Sequence, residues 1–202
     1  MGSSASRVWV GFSDDPVADS PPGSIVVTLM SEEVAGSGAH RTTELCLDTM
    51  LDRLSPPPGR LLDVGCGSGI LSIVAAKLGV PEVTAIDIDP GSVRVAREAV
   101  MLSGVGSEVS ALDVAVCDLD ETFPWVVANI TASVLIDLAG AVAARVAPDG
   151  HLLLCGITEL REDSVRSAYA TVAETPGHPL SFELVERKTQ GPWVSLLLRR
   201  IP

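Results

Sequence analysis

Basic residues are scarce in this 202-residue chain. It holds 14 Lys and Arg against 26 Asp and Glu, so its formal net charge at pH 7 is −12. Such an acidic protein repels nucleic acids and anionic membrane surfaces, because both are dense in negative charge. We therefore expect neither as a partner. A cationic acceptor suits this charge better, although the simpler interpretation is that the acidity only keeps the protein soluble.

The chain also lacks an apolar run that could cross a membrane. Polar or charged residues interrupt its most apolar region, 125–157: Asn129, Asp137, Arg145 and Asp149. A transmembrane helix with these side chains would be too costly. Residues 1–7 have none of the apolar character of a signal peptide. The sequence thus predicts a cytoplasmic protein.

No zinc-binding pattern is present. The four cysteines are Cys46, Cys66, Cys117 and Cys155, and their spacings match no known zinc motif. Three of the four lie in apolar runs. We therefore expect buried free thiols in a reducing compartment, and no bound metal.

From residue 60 onward, short apolar strands alternate with helical patterns. Seven segments are predicted as strands: 60–64, 83–87, 109–112, 125–128, 151–155, 182–187 and 193–198. Helices are predicted over 69–78, 90–100 and 131–146, and a last helix is indicated by Val165, Ala168, Tyr169 and Val172. This alternation predicts an α/β fold whose mostly parallel sheet is covered by helices on both faces.

The last two predicted strands follow each other without a helix between them, so they should form a C-terminal antiparallel hairpin. Residues 1–28 are polar and are interpreted as an N-terminal lead-in segment, with residues 29–202 as one domain.

The sharpest motif is the glycine-rich loop after the first predicted strand, where residues 62–69 read LDVGCGSG. Ligands of such sheets bind at the carboxyl ends of the strands, and glycines let the backbone approach them closely. A dinucleotide-binding loop would need glycine at position 70, but the chain has Ile70. The spacing of Gly65, Gly67 and Gly69 therefore favours S-adenosyl-L-methionine (SAM) over a nicotinamide dinucleotide.

Acidic residues end the next two predicted strands. Asp87 follows Gly65 by 22 residues and is placed to accept both ribose hydroxyls. Asp89 is better suited to cap the following helix. Asp113 ends the third strand and can accept from the adenine amino group. Two further acids compete for that role, Asp118 and Asp120, and a solvated loop acid is an equal alternative for each.

These residues resemble the ribosomal-protein lysine methyltransferases that modify a stalk protein of the large subunit. The resemblance runs from about residue 25 to residue 200. It rests on segments 36–47, 62–72, 85–90, 126–130, 154–157 and 193–196, which read GSGAHRTTELCL, LDVGCGSGILS, AIDIDP, VVANI, LCGI and WVSL. The resemblance implies a Rossmann-like class I methyltransferase fold, with SAM as cofactor and S-adenosyl-L-homocysteine as product.

The family's pattern places cofactor contacts at positions that match Thr43, Gly65, Asp87 and Asn129. The other loop glycines are expected to contribute: Gly67 and Gly69. The resemblance also implies that the loop at 36–43 folds over the cofactor.

Asn129 ends the fourth predicted strand, where methyl donor and acceptor should meet. Its amide can accept a hydrogen bond from an amine and so aim the lone pair of the amine at the methyl group. A helix cap is the alternative role for Asn129. His40 can assist deprotonation of the amine, although we prefer a role in ordering the loop.

The family's N-terminal recognition domain has no counterpart in the roughly 28 residues before the resemblance begins. We therefore expect N-methylation of a small molecule or peptide, and no methylation of the stalk protein. Alternatives are transfer to an oxygen or carbon acceptor, protein lysine methylation, and SAM binding without catalysis.

Overall fold

The structure is a computed structural model that describes residues 7–12, 20–30, 41–175 and 178–201. In these residues the strands are β1 Val8–Phe12, β2 Ile25–Leu29, β3 Leu61–Val64, β4 Val83–Asp87, β5 Val109–Asp113, β6 Phe123–Asn129, β7 Val146–Thr158, β8 Thr171–Thr175, β9 His178–Gln190 and β10 Trp193–Arg200. The helices are α1 Arg41–Arg53, α2 Ile70–Lys77, α3 Pro90–Leu102, α4 Ala132–Asp137, α5 Ala139–Ala144 and α6 Glu159–Ala170.

The main sheet has eight strands in the order β5-β4-β3-β6-β7-β10-β9-β8. Strands β3 to β7 are parallel to one another, whereas β10 is antiparallel to both β7 and β9. The predicted mostly parallel sheet with a closing hairpin is confirmed, and β8 is added at its edge. The strand order reverses between β3 and β6, and such a switch point opens a crevice at the carboxyl ends of the strands.

Helices cover both faces of this sheet, as predicted. The buried side chains of α1, α2 and α3 pack on one face, together with β2. Those of α4, α5 and α6 pack on the other face. The central strands are apolar on both sides: Val126, Val127 and Ala128 of β6 are all fully buried. This double burial explains why they read as continuous apolar runs and not as an alternating pattern.

Strands β1 and β2 form a separate two-stranded parallel sheet. The backbone N–H of Thr28 in β2 donates to the Ser103 hydroxyl at 3.0 Å, just beyond the end of α3. Val27 and Leu29 are buried in the same core as α2 and α3. The expected division of the chain between residues 28 and 29 stays a prediction.

Two element predictions were wrong. The helix predicted over 131–146 is two short helices that meet at Leu138, and Val146 begins β7. Val172, predicted as helical, lies in β8 and pairs with Leu180 of β9. A buried Val172 satisfies the helical spacing and the inward face of a strand equally well, so periodicity alone cannot distinguish them.

The described helices are all too short or too polar to span a lipid bilayer.

Candidate functional site

A cavity of about 560 Å³ lies at the carboxyl ends of β3, β4 and β6. Its lining is mostly apolar and includes Ile86, Ile88, Val116, Val134 and Leu138. Pockets of this size and character commonly hold small ligands, with a few polar groups that fix the orientation of the ligand. Here Gly65 and Asp87 are part of the lining.

The glycine-rich loop adopts a backbone that other residues rarely tolerate. Gly65, Gly67 and Gly69 have φ values of 74°, 52° and 79°. A Cβ added at Gly65 would also overlap Cγ2 of Ile130, and one added at Gly69 would lie 3.1 Å from Cβ of Ala96 in α3. Gly65 therefore contributes to the cavity, whereas Gly69 serves helix packing. Neither Gly67 nor Gly69 lines the cavity.

Asp87 connects this loop to the end of β4. Its Oδ2 accepts the backbone N–H of Gly67 at 3.1 Å, and its Oδ1 accepts that of Asp89 at 3.0 Å. Each carboxylate oxygen has a second lone pair, so the half-buried Asp87 side chain can still accept from a ligand. Asp89 caps α3, as expected, by accepting from the N–H groups of Gly91 and Ser92.

Asp113 of β5 is the register partner of Asp87 in β4. Its side chain is exposed, and it does not line the cavity. The cavity wall on this side is formed by residues 114–117, a segment that the sequence analysis missed. The Asp118 carboxylate accepts the N–H of Ala115 at 3.4 Å and so helps to hold the backbone of this segment. Asp120 is exposed. The adenine contact of Asp113 stays a prediction.

Asn129 and Thr43 meet at the end of β6. The Asn129 amide nitrogen Nδ2 donates to the Thr43 hydroxyl at 3.3 Å. The Oδ1 atom of Asn129 is buried and has no partner among the described residues. Such an oxygen costs about 1–3 kcal/mol unless a water molecule or a ligand binds it, so it is a candidate ligand contact. The helix-cap alternative for Asn129 was wrong, because Thr131 is the N-cap of α4.

Asp63 is a buried acid behind the loop, and the sequence analysis assigned it no role. Its Oδ2 accepts from the Ser72 hydroxyl at 2.6 Å, and its Oδ1 has no described partner. Burial raises its pKa to about 6, because the charged form loses its hydration. A charged residue in an otherwise fully apolar strand is the signal that could have identified it.

The cysteines are as expected: Cys46, Cys66 and Cys155 are buried and Cys117 is exposed, all as free thiols. Burial raises the pKa of the Cys46 thiol, and its neighbours Cys155 and Asp63 raise it further. Cys46 is therefore a protonated packing group.

Glycines on both sides of Ile130 fix the turn after Asn129. Gly156 in β7 has a φ of 80°, and an added Cβ there would overlap the backbone carbonyl of Ile130. Ile130 thus lies between Gly65 and Gly156.

His40 and the part of the 36–43 loop before Arg41 lie outside the described residues. The roles expected for them, as base and as cover of the cofactor, stay predictions.

Known proteins resemble this chain over nearly its whole length. A family described as "Ribosomal protein L11 methyltransferase (PrmA)" matches residues 5–201. The ribosomal protein L11 methyltransferase of Trichlorobacter lovleyi is 39% identical over 89% of this chain and 58% of its own length. That of Geobacter sulfurreducens is 42% identical over 88% and 56%. The chain thus spans less than three fifths of these relatives.

Among solved structures, a crystal structure of ribosomal protein L11 methylase from Lactobacillus delbrueckii subsp. bulgaricus matches with a TM-score of 0.80 and 28% identity, over 96% of this chain and 93% of that one. The N-methyltransferase NodS from Bradyrhizobium japonicum, in complex with S-adenosyl-L-homocysteine, matches with a TM-score of 0.60 at 16% identity, over 80% of this chain and 89% of that one, and so shows the fold alone.

Proposed function

The chain belongs to the ribosomal protein L11 methyltransferase family, and we propose that it transfers the methyl group of SAM to an amine nitrogen of a protein acceptor, with ribosomal protein L11 as the first candidate. The observation that carries the proposal is the buried Oδ1 atom of Asn129, which has no partner among the described residues and belongs to the residue just before Ile130 of the cavity lining. An amine acceptor would satisfy this oxygen by donating an N–H to it.

The residues at the cavity fit SAM. Asp87 offers carboxylate oxygens for ribose hydroxyls, and the backbone of the glycine-rich loop reaches the cavity at Gly65. Ile86, Ile88 and Leu138 offer apolar surface to an adenine ring. When bound, SAM supplies a methyl group made electrophilic by the adjacent sulfonium.

The protein's contribution to the reaction is position and exclusion of water. Asn129 accepts an N–H of the amine and so directs the nitrogen lone pair into the site. Well-oriented reactants reach effective molarities of roughly 10⁵–10⁸ M, so a general base is not indispensable once the amine arrives neutral. His40 is the candidate for removing a proton beforehand.

The acceptor expected from the sequence was a small molecule or peptide. The relatives give no support to a small molecule, since they are described as methyltransferases of ribosomal protein L11. We therefore rank a protein amine first. A lysine side chain is cationic in solution, and the net charge of −12 attracts it.

Calorimetry tests the cofactor: SAM and S-adenosyl-L-homocysteine should bind, and NADH should not. Methyl-labelled SAM then tests the acceptor, with purified ribosomal protein L11 in one arm and a panel of small amines and hydroxyl compounds in the other. We expect labelled L11, with the label on amine nitrogens by mass spectrometry. Label on small molecules alone would refute the protein acceptor. SAM binding with no labelled product would instead support the non-catalytic alternative.

A further inference from the structure

We propose that Asp137 selects the adenine base of the cofactor by accepting a hydrogen bond from its 6-amino group. The proposal deepens the proposed function, because it rests on SAM as the occupant of the cavity and names the residue that distinguishes adenine from other bases. It gives this role to α4, whereas the sequence analysis expected it at Asp113 in β5.

Two carboxylates belong to the described lining of the cavity, and they come from different elements. Asp87 ends β4, and Asp137 ends α4. The other polar side chains of this lining are the Thr131 hydroxyl, which shares a hydrogen bond with the Ser133 hydroxyl at 3.2 Å, and the Cys117 thiol, which is a weak acceptor. Once Asp87 holds the ribose, Asp137 is therefore the strong acceptor left in the described lining.

The Asp137 carboxylate has no hydrogen-bond or ion-pair partner in the part of the chain that the structure describes. In this it differs from Asp118, whose carboxylate accepts the backbone N–H of Ala115. The Asp137 side chain is also exposed. Its oxygens are thus available to a ligand without breaking a described contact.

Asp137 also adds nothing to the stability of α4. It is the last residue of that helix, and the last turn contains no basic residue. A negative charge is unfavourable at this end, because the last carbonyl groups of a helix carry partial negative charge. Aspartate is a weak helix former as well. A role in the cavity therefore explains this side chain better than a role in the helix.

The face of α4 that carries Asp137 combines the two features that an adenine ring requires. Val134, Asp137 and Leu138 have the spacing of one helix face, and all three line the cavity. An adenine ring offers apolar faces, and its amino group donates hydrogen bonds at one edge. The apolar side chains suit the faces of the ring, and the carboxylate suits its amino group.

A cycle over protein and ligand tests the proposal by calorimetry. The ligands are S-adenosyl-L-homocysteine and its 6-deamino analogue, in which a hydrogen atom replaces the amino group. The proteins are the wild type, Asp137→Ala and Asp163→Ala. Asp163 is the matched control, because it is an exposed acid of α6 that does not line the cavity, and its loss changes the net charge equally. In melting curves, Asp137→Ala should unfold at no lower temperature than the wild type.

The wild type and Asp163→Ala should bind S-adenosyl-L-homocysteine about tenfold more tightly than the deamino analogue, as expected for one charge-assisted hydrogen bond at an exposed carboxylate. In Asp137→Ala this preference should fall below about twofold, because the amino group has lost its partner. An equal preference in the wild type and Asp137→Ala would overturn the proposal. So would an equal loss of preference in Asp163→Ala.

Asp113→Ala separates the two candidate acids. Asp113 does not line the cavity, so this variant should keep the preference of the wild type. Loss of the preference in Asp113→Ala, with none in Asp137→Ala, would assign the amino group to the acid at the end of β5 and show the proposal to be wrong.

The assay measures binding alone, so its result does not depend on the methyl acceptor. Binding of S-adenosyl-L-homocysteine without any labelled protein would contradict the proposed function, while the cycle would still decide the role of Asp137. If the wild type binds neither ligand, both proposals fail.

Discussion

The two halves of the candidate site are built in different ways. In the cofactor half, Asp87 satisfies backbone N–H groups of Gly67 and Asp89, and these contacts lie within a short stretch of sequence. In the proposed acceptor half, Asn129 contacts Thr43, which is 86 residues away, and its Oδ1 has no partner among the residues that the structure describes. The first half is thus internally satisfied, whereas under the proposed function a substrate would complete the second. Changes in the first half should therefore alter affinity, and changes in the second should alter rate.

The largest expected effect lies in the acceptor half. Asn129→Ala removes the oxygen proposed to orient the amine, so the single-turnover rate at saturating SAM should fall on the order of 10²-fold. SAM affinity should fall only modestly, because the interaction matters most in the transition state. If rate and affinity fall together and excess SAM restores turnover, Asn129 belongs to the cofactor half instead.

Asp63 lies behind the glycine-rich loop, and its effect should appear in the dependence of stability on pH. Its folded pKa of about 6 lies above the ordinary value, so the folded state binds more protons than the unfolded state between about pH 4 and pH 6. Its carboxyl therefore stabilises the fold less as pH rises through that window, by roughly 2–3 kcal/mol in all. Denaturant titrations at several pH values should show that the unfolding free energies of the wild type and Asp63→Asn diverge across the window. Parallel curves would mean that Asp63 has an ordinary pKa.

Asp87→Ala tests the cofactor half. Charge-assisted hydrogen bonds to the ribose are worth roughly 1.5–3 kcal/mol each, so SAM should bind at least about tenfold more weakly. The turnover rate at saturating SAM should change much less, the reverse of the result expected for Asn129→Ala. Calorimetry on the folded variant gives the affinity, and an unchanged value would remove Asp87 from the site.

The smallest expected effect comes from Asp89, two residues further along. Asp89→Ala removes the N-cap of α3 and should cost about 1 kcal/mol of unfolding free energy. SAM affinity should hardly change, which makes this variant the control for Asp87→Ala. A loss of affinity equal to that of Asp87→Ala would assign Asp89 to the site as well.

The same contrast explains what the sequence could predict. The glycine-rich loop and the cap at Asp89 depend on residues close together in the chain, and these were predicted. The central strands were recognisable because burial on both faces makes them continuously apolar. The contact between Thr43 and Asn129 depends on tertiary packing, and no spacing in the sequence predicts it. The wall at 114–117 was missed because the search at this strand end was for an acidic side chain, and none of the four residues is acidic.

Ile130, between Gly65 and Gly156, has a consequence for how these positions change among relatives. At Gly65 two obstacles oppose a side chain, the φ of 74° and the side chain of Ile130, and a smaller residue at 130 would remove only the second. At Gly156 the obstacle is the main-chain carbonyl of Ile130, which every amino acid carries. Positions 65 and 156 should therefore both remain glycine whatever stands at 130, and position 130 should tolerate smaller residues than isoleucine without releasing either of them.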